Sequence, residues 1–193
     1  SDVYKRQTLI VKSGKLVGDN TDGAGLVGDL ENQLDSLKDK SVFLLGAGGA
    51  ARGVIIPLFN AGISEIHIAN RTVSKAKELA NVFNQYGRMS YSGYNEIPDR
   101  AFDVIVNSTS SSISGDVPPI DGKPFQNAEL AYDMFYQKHP TSFLQFASAH
   151  NKNILISDGL GMLVGQAAES FFLWRDVKPD VKPVIAFLKS EMA

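Results

Sequence analysis

The segment 42–53, VFLLGAGGAARG, constrains the fold more strongly than any other part of the chain. An apolar, strand-like run leads into a turn that reads G-x-G-x-x-A at Gly46, Gly48 and Ala51, and a helix-period segment follows. In this context Gly46 would form the tight turn, Gly48 would let the backbone approach a pyrophosphate, and Ala51 would pack the helix against the strand. The free N–H groups at the start of the helix would face the phosphates. The turn therefore predicts a dinucleotide site, the alternative being a glycine turn that serves packing alone. The residues assigned to this site are Gly46, Ala47, Gly48, Gly49 and Ala50.

Strand-like and helix-like segments alternate along the rest of the chain. The short apolar runs are residues 41–46, 65–70, 102–107, 129–135 and 153–157. The helix-period segments are residues 50–61 and 73–84. Alternation at this spacing is typical of βαβ units. It predicts the α/β class, with a Rossmann-like doubly wound, mostly parallel sheet and flanking helices.

The end of the second predicted strand bears on the choice of cofactor. The chain reads ANRTVSKA at 69–76, and a site for NAD usually places an acid here to bind the ribose 2′-hydroxyl. This segment has no acid, whereas Arg71 offers a planar fork for a 2′-phosphate, Thr72 a hydroxyl and Lys75 a second cation. The pattern predicts NADP as the cofactor, bound by Asn70 and these three residues. The alternative is that Arg71 and Lys75 are solvated charges at the start of a helix.

The third predicted strand ends in VNSTS at 106–110, and a long polar segment follows it. Asn107, Ser108, Thr109 and Ser110 would line the far side of the cofactor. Residues 110–124 are a loop by composition. A connection of this length in a compact domain is often functional.

Composition and charge exclude several classes of function. The net charge of -2 gives no basic surface for nucleic acid or for a membrane, and no apolar run is long enough to span a bilayer. The chain has no cysteine, which excludes disulfides and thiolate ligands. Its three histidines are scattered, so we expect no metal site. We expect a cytoplasmic protein with no nucleic-acid or membrane partner.

The stretch GDNTDGAG at 18–25 raises the question of what Asp22 does. The apolar residues that follow fall on one face of a predicted helix; they are Leu26, Val27, Leu30, Leu34 and Leu37. Asn20, Thr21 or Asp22 could cap this helix. From periodicity alone, capping and catalysis both remain open for Asp22.

Six motifs in this chain resemble, in order and spacing, those of shikimate dehydrogenases. They are GKLVGDNTDGAG, LLGAGGAARG, ANRTVSKA, VNSTS, AYDMFY and DGLGMLVGQAAESFFLW, between about Thr8 and Trp174. The resemblance implies NADP-dependent, reversible reduction of 3-dehydroshikimate to shikimate in the chorismate pathway of aromatic amino-acid biosynthesis.

The resemblance also implies roles for individual residues. Asp22 would be catalytic, lying beside a lysine and binding the substrate hydroxyls, while Gln166 and Tyr136 would contact the substrate. Met134, Gly159 and Met162 would bind the cofactor, with Met162 near the nicotinamide. In the chemistry that this implies, a lysine–aspartate pair would hold the substrate oxygen and pass its proton while a hydride moves.

The match is incomplete at the start of the chain. The family carries a substrate domain ahead of this region, with paired serines and the catalytic lysine, and Lys5, Lys12 and Lys15 lie in the wrong context for that lysine. We therefore expect the C-terminal, cofactor-binding part of the enzyme, inactive or slow alone. The family has asparagine where this chain has Gln7, and SDVYKRQ resembles nothing expected there. The expected division is a foreign leader (1–7), a segment and linker helix of the substrate domain (8–40), the NADP-binding domain (41–175) and a C-terminal helix (176–193).

Two other functions remain open at this point. One is a quinate/shikimate or related dehydrogenase, which Arg71 disfavours because it points to NADP. The other is a non-catalytic NADP-binding module, which Asp22 and Gln166 disfavour because a pure binder needs no residues that contact a substrate. A homodimer of the full-length enzyme is a further expectation.

Overall fold

The structure is a computed structural model that describes residues 7–192. The predicted leader therefore lies outside the described residues except for Gln7, and so does Lys5. The strands are β1 (Thr8–Lys12), β2 (Lys15–Asp19), β3 (Ser41–Leu45), β4 (Glu65–Ala69), β5 (Arg88–Ser92), β6 (Val104–Asn107), β7 (Leu130–Asp133) and β8 (Leu155–Asp158). The helices are α1 (Asp22–Leu34), α2 (Gly49–Asn60), α3 (Val73–Phe83), α4 (Ser142–His150), α5 (Leu160–Arg175) and α6 (Lys182–Met192). Short 3₁₀ turns lie at Ser111–Ser114 and Lys123–Phe125.

Six strands form one parallel sheet in the order β5-β4-β3-β6-β7-β8. The chain runs outward from β3 to one edge and then returns to β6 and runs to the other edge, so the order reverses between β3 and β6. This is the doubly wound arrangement, and it confirms the predicted α/β, Rossmann-like fold. In such sheets a crevice opens at the carboxyl ends of the strands at the point of reversal.

The sheet is buried on both faces, because alternate residues of its central strands pack against different helices. On one face, Val42 and Leu44 of β3 belong to a core with α1, α2 and α3. On the other face, Phe43 and Leu45 pack with Phe125 and with α4. This two-sided burial explains why the central strands are continuous apolar runs rather than alternating ones.

A second, two-stranded sheet stands apart from the main one. Strands β1 and β2 pair antiparallel from Thr8–Asp19 to Lys12–Lys15, and Ser13 and Gly14 turn between them with positive φ. Neither this hairpin nor strand β5 was expected from the sequence. The predicted helix after Asp22 ends at Leu34, so that Leu37 lies beyond it and is buried in the core all the same.

Among residues 7–192, no helix combines the length and apolar character needed to cross a bilayer. The proposed division of the chain at residues 40 and 175 stays a prediction.

Candidate active site

The turn between β3 and α2 has the geometry that a dinucleotide requires. Gly46 has φ +103, and a Cβ added there would lie 2.7 Å from Ser108 Oγ, so only glycine fits. Gly48 is the N-cap of α2, and a Cβ added there would meet nothing within 4 Å. Ala51 is fully buried against the sheet. The turn thus leaves open space in front of the first N–H groups of α2, where an anion would be stabilised.

A cleft of about 740 Å³ opens at this turn, at the reversal point of the sheet. We call it the cofactor cleft. Eight of the predicted cofactor residues line it, namely Gly46, Ala47, Gly48, Asn70, Arg71, Ser108, Thr109 and Ser110. The structure adds residues that were not predicted individually, namely Tyr94, Ser111, Ser114, Asp116, Val117, Pro118 and Pro119. Most of the added residues belong to the long loop after β6, so the length of that loop was the signal that pointed to them.

Arg71 contributes a cation to the cofactor cleft. Its side chain is exposed at the end of β4, beside Tyr94. Burial raises the pKa of the Tyr94 phenol, and the Arg71 backbone and charge oppose that shift. Thr72 is the N-cap residue of α3 but makes no side-chain cap bond, and Lys75 is exposed further along α3. Neither Thr72 nor Lys75 lines the cleft, whereas Arg71 does.

Asn107 lies behind the cleft wall rather than in it. It is fully buried at the end of β6, where its Nδ2 donates to Ser112 Oγ at 3.1 Å and to Asp133 Oδ1 at 3.2 Å. Its Oδ1 accepts from the backbone N and the Oγ1 of Thr109 at 3.1 and 2.7 Å. Gly49 and Ala50 form the first turn of α2 and do not line the cleft.

A second cleft, of about 230 Å³, brings the other predicted residues together. We call it the substrate cleft. Its residues come from the start of α1, the end of β7 and the start of α5; they are Asp22, Met134, Tyr136, Gly159, Met162, Leu163 and Gln166. Six of these seven were predicted from the sequence, although they are spread along most of the chain from Asp22 to Gln166.

Asp22 is the first residue of α1, and Thr21 occupies the cap position without a side-chain cap bond. The Asp22 backbone N–H donates to Asn20 Oδ1 at 3.0 Å. Its carboxylate accepts from Gln7 Nε2, which lies 3.0 Å from Oδ1. Burial raises the pKa of the Asp22 carboxyl above its ordinary value. Asp22 is therefore not the cap, and its carboxylate faces the substrate cleft.

Buried hydroxyl groups connect Thr21, the residue before Asp22, with Gln166. Thr21 Oγ1 donates to Gln166 Oε1 at 3.4 Å, and it lies 3.0 Å from Ser170 Oγ. Ser170 Oγ in turn lies 2.8 Å from Thr8 Oγ1. The hairpin, α1 and α5 are thus joined by one polar cluster at the edge of the substrate cleft, and this fixes where Asp22 and Gln166 stand relative to each other.

Helices α1 and α5 can approach this closely because glycines face each other at their crossing. A Cβ added at Gly25 would lie 2.5 Å from Met162 O, and one added at Gly165 would lie 3.1 Å from Gly25 Cα. The small residues bring Asp22 within reach of the face of α5 that carries Gln166.

Other candidate groups lie away from both clefts. Lys12 and Lys15 are exposed in the hairpin. Within residues 7–192 no three His, Cys, Asp or Glu side chains come together as metal ligands would.

A doubly wound sheet with a glycine turn at its reversal point and an adjoining polar cleft defines a dinucleotide-binding domain of the Rossmann class. Two family models match the chain, Shikimate / quinate 5-dehydrogenase over residues 29–114 and Shikimate 5′-dehydrogenase C-terminal domain over residues 159–187. The shikimate dehydrogenase (NADP(+)) of Pseudoalteromonas atlantica is 51% identical over 187 residues, which make up 97% of this chain and 67% of that relative. The chain belongs to the shikimate dehydrogenase family.

Solved structures agree with this assignment. An Ael1 enzyme from Pseudomonas putida superposes with a TM-score of 0.87 at 42% identity, covering 93% of this chain and 66% of that one. A shikimate dehydrogenase in complex with NADP+ superposes with a TM-score of 0.81 at 32% identity, covering 96% and 66%. The chain spans about two thirds of the length of the relatives it matches.

Proposed function

We propose that this chain forms the NADP(H) site and part of the substrate site of an NADP-dependent shikimate dehydrogenase, which reversibly reduces 3-dehydroshikimate to shikimate. The observation that carries the proposal is that the glycine turn and Arg71 line one cleft at the reversal point of the sheet. The substrate cleft with Asp22 and Gln166 opens at the carboxyl ends of the next strands in the same sheet. The relatives named above for NADP(+) support the same cofactor.

The cofactor cleft fits a phosphorylated dinucleotide. The open space at Gly48 admits a pyrophosphate against the first N–H groups of α2. Arg71 has the planar fork that binds a 2′-phosphate through paired hydrogen bonds, and no acid follows β4 to repel that phosphate. When it is bound, NADPH supplies the hydride through its nicotinamide ring.

In the substrate cleft, Asp22 and Gln166 offer the groups that hydroxyls of a small polar ring require. The Asp22 carboxylate accepts hydrogen bonds, and the Gln166 amide both donates and accepts. Burial raises the pKa of Asp22, which lets the group hold a proton at higher pH than an exposed aspartate and suits it to proton transfer near the reacting oxygen. Met134 and Met162 give this cleft an apolar side that would face the nicotinamide.

The identity of the small-molecule substrate, shikimate or 3-dehydroshikimate, is part of this proposal, and so are a homodimer of the full-length enzyme and a cytoplasmic location. Among residues 7–192, no lysine lines the substrate cleft, where the resemblance implies the catalytic lysine. Of the proposed lysine–aspartate pair that transfers the proton, these residues supply the aspartate, Asp22.

The proposal is tested by cofactor binding to the 193-residue chain. NADPH and NADH are titrated in parallel, with the change in nicotinamide fluorescence as the readout. We expect NADPH to bind and NADH to bind much more weakly, because only NADPH has the 2′-phosphate that Arg71 would bind. Equal affinity for the two, or no binding of either, would refute the proposed cofactor site.

A further inference from the structure

Asp133, at the end of β7, is a fully buried carboxylate whose two oxygens accept four hydrogen bonds. Oδ2 accepts from Ser112 Oγ at 2.5 Å and from Thr141 Oγ1 at 2.6 Å. Oδ1 accepts from Asn107 Nδ2 at 3.2 Å and from Phe135 N at 3.1 Å. Leaving a buried carboxylate without partners is strongly unfavourable, so Asp133 favours the position in which each of these four groups donates to it.

Two of these contacts lead to the wall of the cofactor cleft. Ser112 belongs to the 3₁₀ turn after β6, next to Ser111, which lines the cleft. Asn107 reaches the same wall by a second path, since its Oδ1 accepts from Thr109 Oγ1, and that oxygen lies 2.7 Å from Ser111 Oγ. Asp133 is thus connected to the cleft wall from two directions without lining the cleft itself.

The contact of Asp133 with Thr141 leads away from the cofactor cleft. Thr141 is the N-cap of α4, where its Oγ1 accepts from Leu144 N at 3.3 Å while donating to Asp133. Thr141 lines neither the cofactor cleft nor the substrate cleft. Ser112 and Thr141 therefore bind the same carboxylate oxygen but connect it to different parts of the molecule.

We propose that Asp133 is a positioning residue for the cofactor, acting through Ser112 to hold the loop 108–119 where it forms the cleft wall before the dinucleotide binds. A loop that is already in place need not be ordered during binding, so affinity is higher than for a loop that must find its position. This inference rests on the proposed function, because it takes the ligand of the cleft to be NADP(H).

The test compares Ser112→Ala with Thr141→Val in the 193-residue chain. Each variant removes one hydroxyl from Asp133 Oδ2, and each is measured by NADPH titration and by thermal unfolding. For Ser112→Ala we expect the NADPH Kd to rise about three- to tenfold, because the loop loses the hydroxyl that donates to Asp133 Oδ2 and accepts from Asn107 Nδ2. For Thr141→Val we expect a fall in Tm at least as large as that of Ser112→Ala, because the α4 cap is lost as well, with the NADPH Kd unchanged.

The outcomes separate this inference from the proposed function. If the unsubstituted chain binds NADPH and both variants bind it equally well, Asp133 has only a structural role and the inference is wrong. The same holds if Thr141→Val weakens binding as much as Ser112→Ala does. If the unsubstituted chain does not bind NADPH, the proposed function fails and this inference fails with it.

Discussion

Gln7 donates its side-chain amide to Asp22 Oδ1 across 3.0 Å, at the edge of the substrate cleft. The same nitrogen lies 3.2 Å from Thr21 Oγ1, so Gln7 bridges the cap residue and the first residue of α1. Position 7 was expected to end a foreign leader, yet this side chain contacts the candidate catalytic group. A substrate hydroxyl that binds Asp22 would have to share the carboxylate with Gln7 or displace it.

We predict that Asp22→Asn weakens shikimate binding to the NADP+-loaded chain by about tenfold, because hydrogen bonds to a charged acceptor are stronger than neutral ones. The measurement is saturation-transfer NMR with shikimate as the probe. Since burial raises the pKa of Asp22 and the ionised form is the better acceptor, binding should strengthen as pH rises through that raised pKa and flatten above it. Asp22→Asn should abolish this pH dependence.

The matched control is Glu31→Gln, which replaces an acid on the exposed face of the same helix that lies outside the substrate cleft. It changes the net charge by the same amount as Asp22→Asn and should leave shikimate binding unchanged. Equal binding by the Asp22→Asn variant and the unsubstituted chain would remove Asp22 from the substrate site.

Arg71 gives a second prediction, on cofactor choice. Replacing it with Ala should raise the Kd for NADPH about ten- to hundredfold, the effect of losing a charge-assisted pair of hydrogen bonds to a phosphate, and should change the Kd for NADH little. Lys75→Ala removes a neighbouring cation that lies outside the cleft wall and should have a small effect. A larger loss from Lys75→Ala than from Arg71→Ala would show that the 2′-phosphate is assigned to the wrong side chain.

The third prediction concerns how the stability of the protein depends on pH, and it rests on His67. The ring is 2% exposed on β4 between Ser90 Oγ at 2.8 Å and Ser92 Oγ at 3.0 Å. Burial, with a smaller effect from the charge of Arg100, lowers the pKa of His67 from 6.5 to about 4. The unfolded chain therefore takes up a proton near pH 6.5 that the folded protein accepts only near pH 4. The contribution of neutral His67 to the free energy of unfolding is complete above about pH 6.5. It is lost as pH falls toward about 4, by up to ~3 kcal/mol.

The measurement is urea unfolding between about pH 4 and 7.5 for the unsubstituted chain and for His67→Phe, in which the ring contact with Phe43 is kept. Asp22, Asp29 and Asp158 have raised pKa values because they are buried, and they act in the opposite direction. The difference between the two curves isolates His67. We expect that difference to change between the two pKa values of His67. His139→Gln, which replaces an exposed histidine, is the matched control. Parallel curves for His67→Phe and the unsubstituted chain would contradict a neutral, buried His67.

The glycine turn and the apolar strands of the main sheet were predictable because their signals are local. The residues of β5, RMSYS, are largely polar and only Ser92 is buried, so this strand exists only because β4 offers it an edge. The hairpin likewise has few buried residues. Asn107 was expected in the cofactor wall, but its position depends on Asp133, 26 residues further along the chain. Such a contact leaves no periodic pattern in the sequence, and this is why the loop walls of the site could be predicted as a segment but not residue by residue.

The crossing of α1 and α5 gives the last prediction. Gly25 and Gly28 lie on the same helix, yet a Cβ at Gly25 would lie 2.5 Å from Met162 O and 2.7 Å from Gln166 N, whereas one at Gly28 would meet nothing within 4 Å. Gly25→Ala should therefore cost about 1–3 kcal/mol of unfolding free energy, because backbone atoms of α5 cannot move aside as a side chain could. Gly28→Ala should stabilise the protein by about 0.5–1 kcal/mol, because it only removes the entropy cost of a helical glycine.

Both variants are compared by urea unfolding and by shikimate binding. Moving α1 away from α5 also separates Asp22 from Gln166, so Gly25→Ala should weaken shikimate binding at temperatures where the variant is fully folded. Gly28→Ala should bind shikimate as the unsubstituted chain does. If Gly25→Ala were as stable as Gly28→Ala, the helices would not be in the close contact described above, and the substrate cleft would lose the physical basis for its geometry.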